Sequence, residues 1–177
     1  MTDKKKLIGE ERREQILDWL RTAGRPLTGN ELADRAQVSR QVIVGDITLL
    51  KARGNPILAT SQGYVYFSVP KEADAERIVA CSHPPDQTEK ELLLLVDLGV
   101  LVKDVKIEHP VYGDLTASIM VSNRKEVTRF LEKINATNAA YLSELTEGIH
   151  LHTLSAKDES VLDEAEQALR NAGLLLE

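Results

Sequence analysis

Residues 28–54 read TGNELADRAQVSRQVIVGDITLLKARG, and two short helices divided by a tight turn are written into that stretch. Thr28 stands at a helix N-cap with Glu31 three residues on, the spacing in which cap hydroxyl and glutamate each satisfy the other's backbone N–H. Leu32 and Ala33 then fall on the inward side of a helix over Gly29–Ala36. Gln37-Val38 makes the turn. Ser39 caps a second helix from Arg40 to about Arg53, and Gly54-Asn55-Pro56 stops it. Upstream, residues 9–22 predict a helix whose apolar face is Ile16, Leu17, Trp19 and Leu20, ended by Gly24-Arg25-Pro26. Downstream, Ile57–Thr60 and Tyr64–Val69, joined by Ser61-Gln62-Gly63, predict a β-hairpin. Three helices and a hairpin make a winged helix-turn-helix over residues 1–70.

The helix after Ser39 has two faces. Ile43, Ile47 and Leu50 recur at helical spacing and turn inward. Ser39, Arg40, Gln41, Val44, Thr48 and Lys51 are left for double-stranded DNA. Arg and Gln near the start of such a helix can make bidentate contacts to guanine and adenine edges in the major groove, and Val44 can meet a thymine methyl. Gly45 weakens the helix, and a close approach to DNA or to the preceding helix is its expected return. Lys4–Lys6, in a basic lead over residues 1–8, offer phosphate contacts, with a solvated tail as the other reading. The hairpin tip is polar but uncharged, which predicts only weak reading of the minor groove.

Charge supports the same division. Residues 1–70 hold 11 Lys/Arg against 8 Asp/Glu, whereas residues 71–177 hold 11 against 20. The basic excess lies with the DNA-binding pattern. The acidic half is expected not to bind nucleic acid. One cysteine, Cys81, excludes an intramolecular disulfide and suits a reducing cytoplasm. The chain has no apolar run of about 18 residues, so no membrane span is expected. A charged N-terminus without an apolar run behind it speaks against a secretory signal.

Beyond a linker at Lys71–Asp74, residues 75–177 alternate between periods. Strands are predicted at Arg77–Ser82, Val102–Glu108, Leu115–Val121 and Ile149–Ser155, with a short last strand at Leu174–Leu176. Helices are predicted at Gln87–Leu98, Arg124–Asn135 and Asp158–Ala172. Residues 136–147 read either way. The order β-α-β-β-α-β-α predicts an α+β open-faced sandwich, helices on one side of a mostly antiparallel sheet. That order is similar to the one in histidine-containing phosphocarrier proteins, a likeness of topology alone.

Within this half, His150-Leu151-His152 is an alternating run. Residues two apart on a strand share a face, so the imidazoles project side by side. Such a pair is half of a transition-metal site, or two exposed imidazoles making ordinary hydrogen bonds.

The first half resembles the winged helix of the biotin repressor: Ser39-Arg40, then Ile43, Ile47 and Leu50, then Gly54. The 107 residues after it are too few for a biotin ligase domain and hold no Gly-rich biotin or ATP loop, so none is expected among them. Over residues 8–175 the chain resembles the nicotinate-responsive repressors of NAD biosynthesis, which join a winged helix to a three-histidine regulatory domain. The residues that carry this are His83 with Glu91 eight positions later, His109-Pro110-Val111-Tyr112-Gly113, and His150-Leu151-His152.

The resemblance implies a divalent transition metal on His83, Glu91, His150 and His152, nicotinic acid as co-repressor, and a homodimer. Ni²⁺ or Zn²⁺ suits three imidazoles and a carboxylate, as do Fe²⁺ and Co²⁺. Glu91 has a competing role, because Thr88-Glu89-Lys90-Glu91 has the spacing of a capping box. His109 and Tyr112 are candidate ligand contacts. A structural hydrogen bond for the first, and an anchor in the turn for the second, are the alternatives. Cys81 either lines the site or is a small buried thiol. A metal-dependent hydrolase fused to a winged helix, and a repressor that senses the metal itself, are the rival functions. No acid–base partner beside the histidine pair, nucleophile elbow or phosphate loop favours the enzyme.

Overall fold

The structure is a computed structural model that describes residues 9–67 and 74–177. The chain divides between Pro70 and Lys71 into two compact units. The expected phosphate contacts of Lys4–Lys6, the end of the second hairpin strand at residues 68–69, and residues 71–73 of the linker lie outside the described residues.

In the first unit, α1 (Gly9–Thr22), α2 (Gly29–Ala36) and α3 (Arg40–Ala52) precede a hairpin of β1 (Ile57–Thr60) and β2 (Gly63–Tyr66). The Thr28 capping box forms: the Glu31 N–H donates to the Thr28 hydroxyl at 3.1 Å, and the Thr28 N–H to the Glu31 carboxylate at 2.8 Å. Ser39 caps α3 by accepting from the Val42 N–H at 3.4 Å. Ile16, Leu20, Leu32, Ile43, Ile47 and Leu50 close the core. The second hairpin strand begins at Gly63, one residue before the predicted start, and runs to Tyr66 within the described residues. Gly63 is needed there, because a Cβ at its positive φ would stand 2.6 Å from the Leu27 carbonyl oxygen. Leu27 and Tyr64 exchange backbone hydrogen bonds at 3.0 and 2.8 Å, which fixes the hairpin to the α1–α2 connection.

The second unit is β3 (Ala75–Ser82), α4 (Thr88–Asp97), β4 (Leu101–Val102), β5 (Val105–His109), β6 (Gly113–Ala117), α5 (Arg124–Thr137), β7 (Ile149–Ala156) and α6 (Glu159–Asn171). All pairings are antiparallel, and the sheet runs β3-β7-β5-β6 with β4 also on β7. Val79, Cys81, Leu154 and Ala156 of the sheet pack against Leu92, Leu95, Val127, Leu162 and Leu169 of the three helices. The opposite face leaves Ile78, Ile149 and Leu151 exposed. This is the expected α+β sandwich.

Three details depart from expectation. The single strand predicted over Val102–Glu108 is broken at Lys103-Asp104, which adds a strand to the phosphocarrier-like order. The strand predicted over Leu115–Val121 stops at Ala117, and Met120 takes a positive φ of 52° before Val121 bridges to Val102. The strand predicted at Leu174–Leu176 is one bridge, Leu175 against Cys81, on β3. The ambiguous segment resolves into the end of α5 and a 3₁₀ turn over Leu142–Thr146.

Candidate metal centre and DNA-reading helix

Alternation along β7 puts His150 and His152 on the inner face, and the β3 register sets Cys81 opposite His150 and Val79 opposite His152. His83 leaves the end of β3, and α4 crosses the same face to bring in Glu91. All four are buried, Glu91 at 1 % exposure. The ring centroids lie 4.9 Å apart for His83 and His150 and 4.8 Å for His150 and His152, with the rings near perpendicular.

The outer nitrogen of each ring is taken. Nδ1 of His83 lies 2.9 Å from the Pro84 carbonyl oxygen, that of His150 2.8 Å from Gly148, and that of His152 2.6 Å from Asp104. A carbonyl only accepts, so each Nδ1 carries the proton and each Nε2 of a neutral ring presents a lone pair. The three Nε2 atoms converge on one carboxylate. His83 and His152 lie 2.8 and 3.3 Å from Glu91 Oε2, and His150 lies 3.4 Å from Oε1. Glu91 Oε1 is buried without a hydrogen-bond partner. Four acceptors facing one another in a dry site repel unless a cation stands among them. Protons on the rings supply one such charge. A divalent transition metal supplies another, and three imidazoles with a carboxylate suit it, each imidazole held by a carbonyl behind it.

The electrostatics of the protein groups alone favour the first of these, protons on the rings. Burial alone would raise the Glu91 carboxyl, but the charge of His152 and the contacts with all three imidazoles hold it well below the ordinary range. Burial lowers His83 and His152, and Glu91 more than reverses this, so both rise. Cys81 places its sulfur with Glu91 and His150, the three ligand atoms within 4.8 Å of one another. Burial, then the Glu91 charge, pushes its thiol far up.

The competing cap for Glu91 is absent. The N-cap of α4 is Gln87, which makes no side-chain cap bond, and Thr88 is already helical. Tertiary imidazoles capture the carboxylate that the local spacing assigned to the helix end.

Glu91, His150 and His152 also form part of the wall of a cavity of about 240 Å³, otherwise largely apolar through Leu92, Ile119, Phe130, Ile134 and Tyr141. His109 and Tyr112 are not on this wall. His109 Nδ1 accepts from the backbone N–H groups of Val111 and Tyr112 at 3.1 and 3.2 Å, and the two rings stack 5.0 Å apart across the β5–β6 turn. Tyr112 is 74 % exposed. The turn-anchoring alternative is therefore the one observed, and the aromatic side chains at the cavity are Phe130 and Tyr141. Sequence reasoning missed both, and it missed Gly148 and Asp104, whose carbonyls orient two of the rings.

On α3, Ser39, Arg40, Gln41, Thr48 and Lys51 are exposed and Val44 is half-buried. A Cβ on Gly45 would meet nothing within 4 Å, so Gly45 does not serve packing against α2 and its face is open. The inward side carries a group the sequence did not announce. Asp46 is buried and accepts from Arg12 of α1 at 2.5 and 3.2 Å and from Arg13 at 3.2 Å.

Comparison with known proteins matches residues 12–65 to an HTH domain family and residues 76–177 to the 3H domain family. The chain is 62 % identical over 178 residues to the transcription repressor NadR of Bacillus subtilis, covering 99 % of each chain. It is 37 % identical over 172 residues to a probable transcription repressor NiaR of Thermotoga maritima, covering 97 % of each. The chain belongs to this family of 3H-domain transcription repressors. The repressor's two matched regions fall within its two units, and its relatives are regulators rather than enzymes, so the hydrolase reading is set aside. No helix among the repressor's described residues is long and apolar enough to cross a membrane.

Proposed function

We propose that this repressor binds operator DNA as a homodimer and takes nicotinic acid as co-repressor at a divalent transition metal in its 3H domain. The observation that carries the reading is the convergence of His83, His150 and His152 Nε2 on the Glu91 carboxylate, at the edge of an apolar cavity. Ni²⁺ and Zn²⁺ head the fitting ions, with Fe²⁺ and Co²⁺ behind them. When bound, the metal supplies positive charge and an open position for a ligand carboxylate or ring nitrogen. Leu92, Ile119 and Phe130 then exclude water from the ring. His109 and Tyr112 act by shaping the β5–β6 turn, and direct contact with the effector falls to the cavity wall.

DNA is read by Arg40 and Gln41 at base edges and Val44 at a thymine methyl. Ser39, Thr48 and Lys51 lie on the same exposed face for backbone contacts. Two such helices in a dimer match half-sites about 34 Å apart or a multiple of that. A protein that acts on DNA and keeps its one thiol reduced belongs in the cytoplasm.

The test is elemental analysis, then calorimetric titration of nicotinic acid into metal-loaded and chelated protein, then operator binding with a fragment selected from random DNA. One metal per chain is expected, with effector binding lost on chelation and operator affinity raised by nicotinic acid. Reciprocally, operator DNA tightens nicotinic acid by the same factor. Full operator affinity with metal and no nicotinic acid would replace this reading with one in which the ion is the signal.

A further inference from the structure

Two buried side-chain atoms among the described residues have no hydrogen-bond partner, Glu91 Oε1 and Thr88 Oγ1. Both belong to α4. Three residues apart on a helix, they share a face, with about 5–6 Å between Cβ atoms. Both line the same cavity. The first lies 3.4 Å from His150 Nε2 and is taken up by the metal proposed above. The second is not: Thr88 makes no cap bond, and it is 8 % exposed.

An unpartnered buried hydroxyl is unfavourable by about 1–3 kcal/mol. Valine would fill the space without that penalty. The cavity wall is polar at Glu91, Ser143, His150 and His152 and largely apolar elsewhere, and on it the unpartnered Thr88 hydroxyl is placed to bond a polar atom from inside the cavity.

The cavity limits what that atom belongs to. A closed apolar cavity of about 150 Å³ holds benzene, so one of about 240 Å³ takes a substituted six-membered ring. The apolar side chains of Leu92, Phe130 and Ile134 suit a flat ring.

We propose that the Thr88 hydroxyl is the specificity-determining contact for a monocyclic aromatic acid. The ring lies in the cavity, one polar group faces Glu91 and the imidazoles, and a second hydrogen-bonds Thr88. This deepens, and rests on, the effector reading above. An analogue lacking the second polar group leaves Thr88 unpaired and is rejected, as sites built to hydrogen-bond a ligand reject molecules without the matching group.

The test uses full-length metal-loaded protein and three calorimetric probes: nicotinic acid, benzoic acid and pyridine. Thr88→Val should weaken nicotinic acid by about tenfold or more, the worth of one buried hydrogen bond to a charged or polar group. It should retain full metal content and melt at or above the wild-type temperature. Thr88→Ser should stay near wild-type affinity. Unchanged nicotinic acid binding in Thr88→Val overturns the role of Thr88 and leaves the effector standing. Loss of metal from that variant also overturns it, because the hydroxyl would then belong to the metal centre. If wild-type protein binds benzoic acid as tightly as nicotinic acid, a second polar contact does not select the ligand, and the role of Thr88 falls. If none of the three binds wild-type protein, both readings fall.

Discussion

Gly148 lies against the backbone of His83 so closely that a Cβ on it would stand 2.3 Å from the His83 carbonyl oxygen. Its φ of 94° also lies where L side chains rarely go. Its carbonyl accepts from the His83 backbone N–H at 3.3 Å and from His150 Nδ1 at 2.8 Å. One glycine therefore aligns two of the three imidazoles. Gly148→Ala must push β7 away from His83, and a strained backbone at positive φ is unfavourable by about 1–3 kcal/mol. Chemical denaturation should read that loss, and elemental analysis should show reduced metal content. A fully metallated variant of wild-type stability would contradict the alignment.

The paired substitution His150→Ala and His152→Ala removes half of the ligand set. Metal content should fall to zero. The Glu91 carboxylate, 1 % exposed, then loses two of its three partners, and breaking a buried pair in this way destabilises by about 3–5 kcal/mol. Adding Glu91→Gln should restore part of that stability without restoring the metal. Metal retained by the double variant at full stoichiometry would remove both histidines from the site.

Arg40→Ala should weaken operator binding by about 1–3 kcal/mol and relax base preference at one position, as expected of a side chain on a base edge. Fluorescence anisotropy at fixed salt, with specific and scrambled duplexes, separates this from a uniform loss. Nicotinic acid binding should be unaffected, since Arg40 lies in the other unit. An equal loss on both duplexes would make Arg40 a phosphate contact.

Arg25, then the Thr28 N–H, lowers the Glu31 carboxyl from its ordinary 4.5 to about 2. A carboxyl lowered by folding contributes stability that is fully present above 4.5 and is lost as pH falls through 2. Glu31→Gln keeps a capping partner for Thr28 but removes the titration. Melting of the winged helix between these pH values should therefore be flatter in the variant than in wild type. Parallel profiles would assign acid unfolding elsewhere.

The winged helix was legible because its signals are local. Thr28 with Glu31, Ser39, and Ile43, Ile47 and Leu50 are read within single helices, and all of them act as expected. The alternation of His150 and His152 was legible for the same reason. Glu91 shows where local reading stops, since cap and ligand call for the same residue at the same spacing, and only the fold decides between them. The break at Lys103-Asp104 interrupts a mixed apolar and charged stretch that reads as one strand. It is there because the Asp104 carboxylate accepts from the Thr153 N–H at 2.9 Å while its carbonyl orients His152. The Asp46 pairing with Arg12 spans 34 positions, beyond any periodicity. The stack of His109 on Tyr112 is a hairpin matter that no alternation pattern separates from a ligand contact.

Cys81 is fully enclosed, sits opposite His150, and is the chain's single thiol. Alkylating reagents can reach its sulfur only when the sheet and the helices packed on it part. The rate at which a maleimide labels the native protein is therefore a built-in clock for opening of the sensor unit, readable by mass alone. Ions or small aromatic acids that close the unit should slow that clock without any engineered probe.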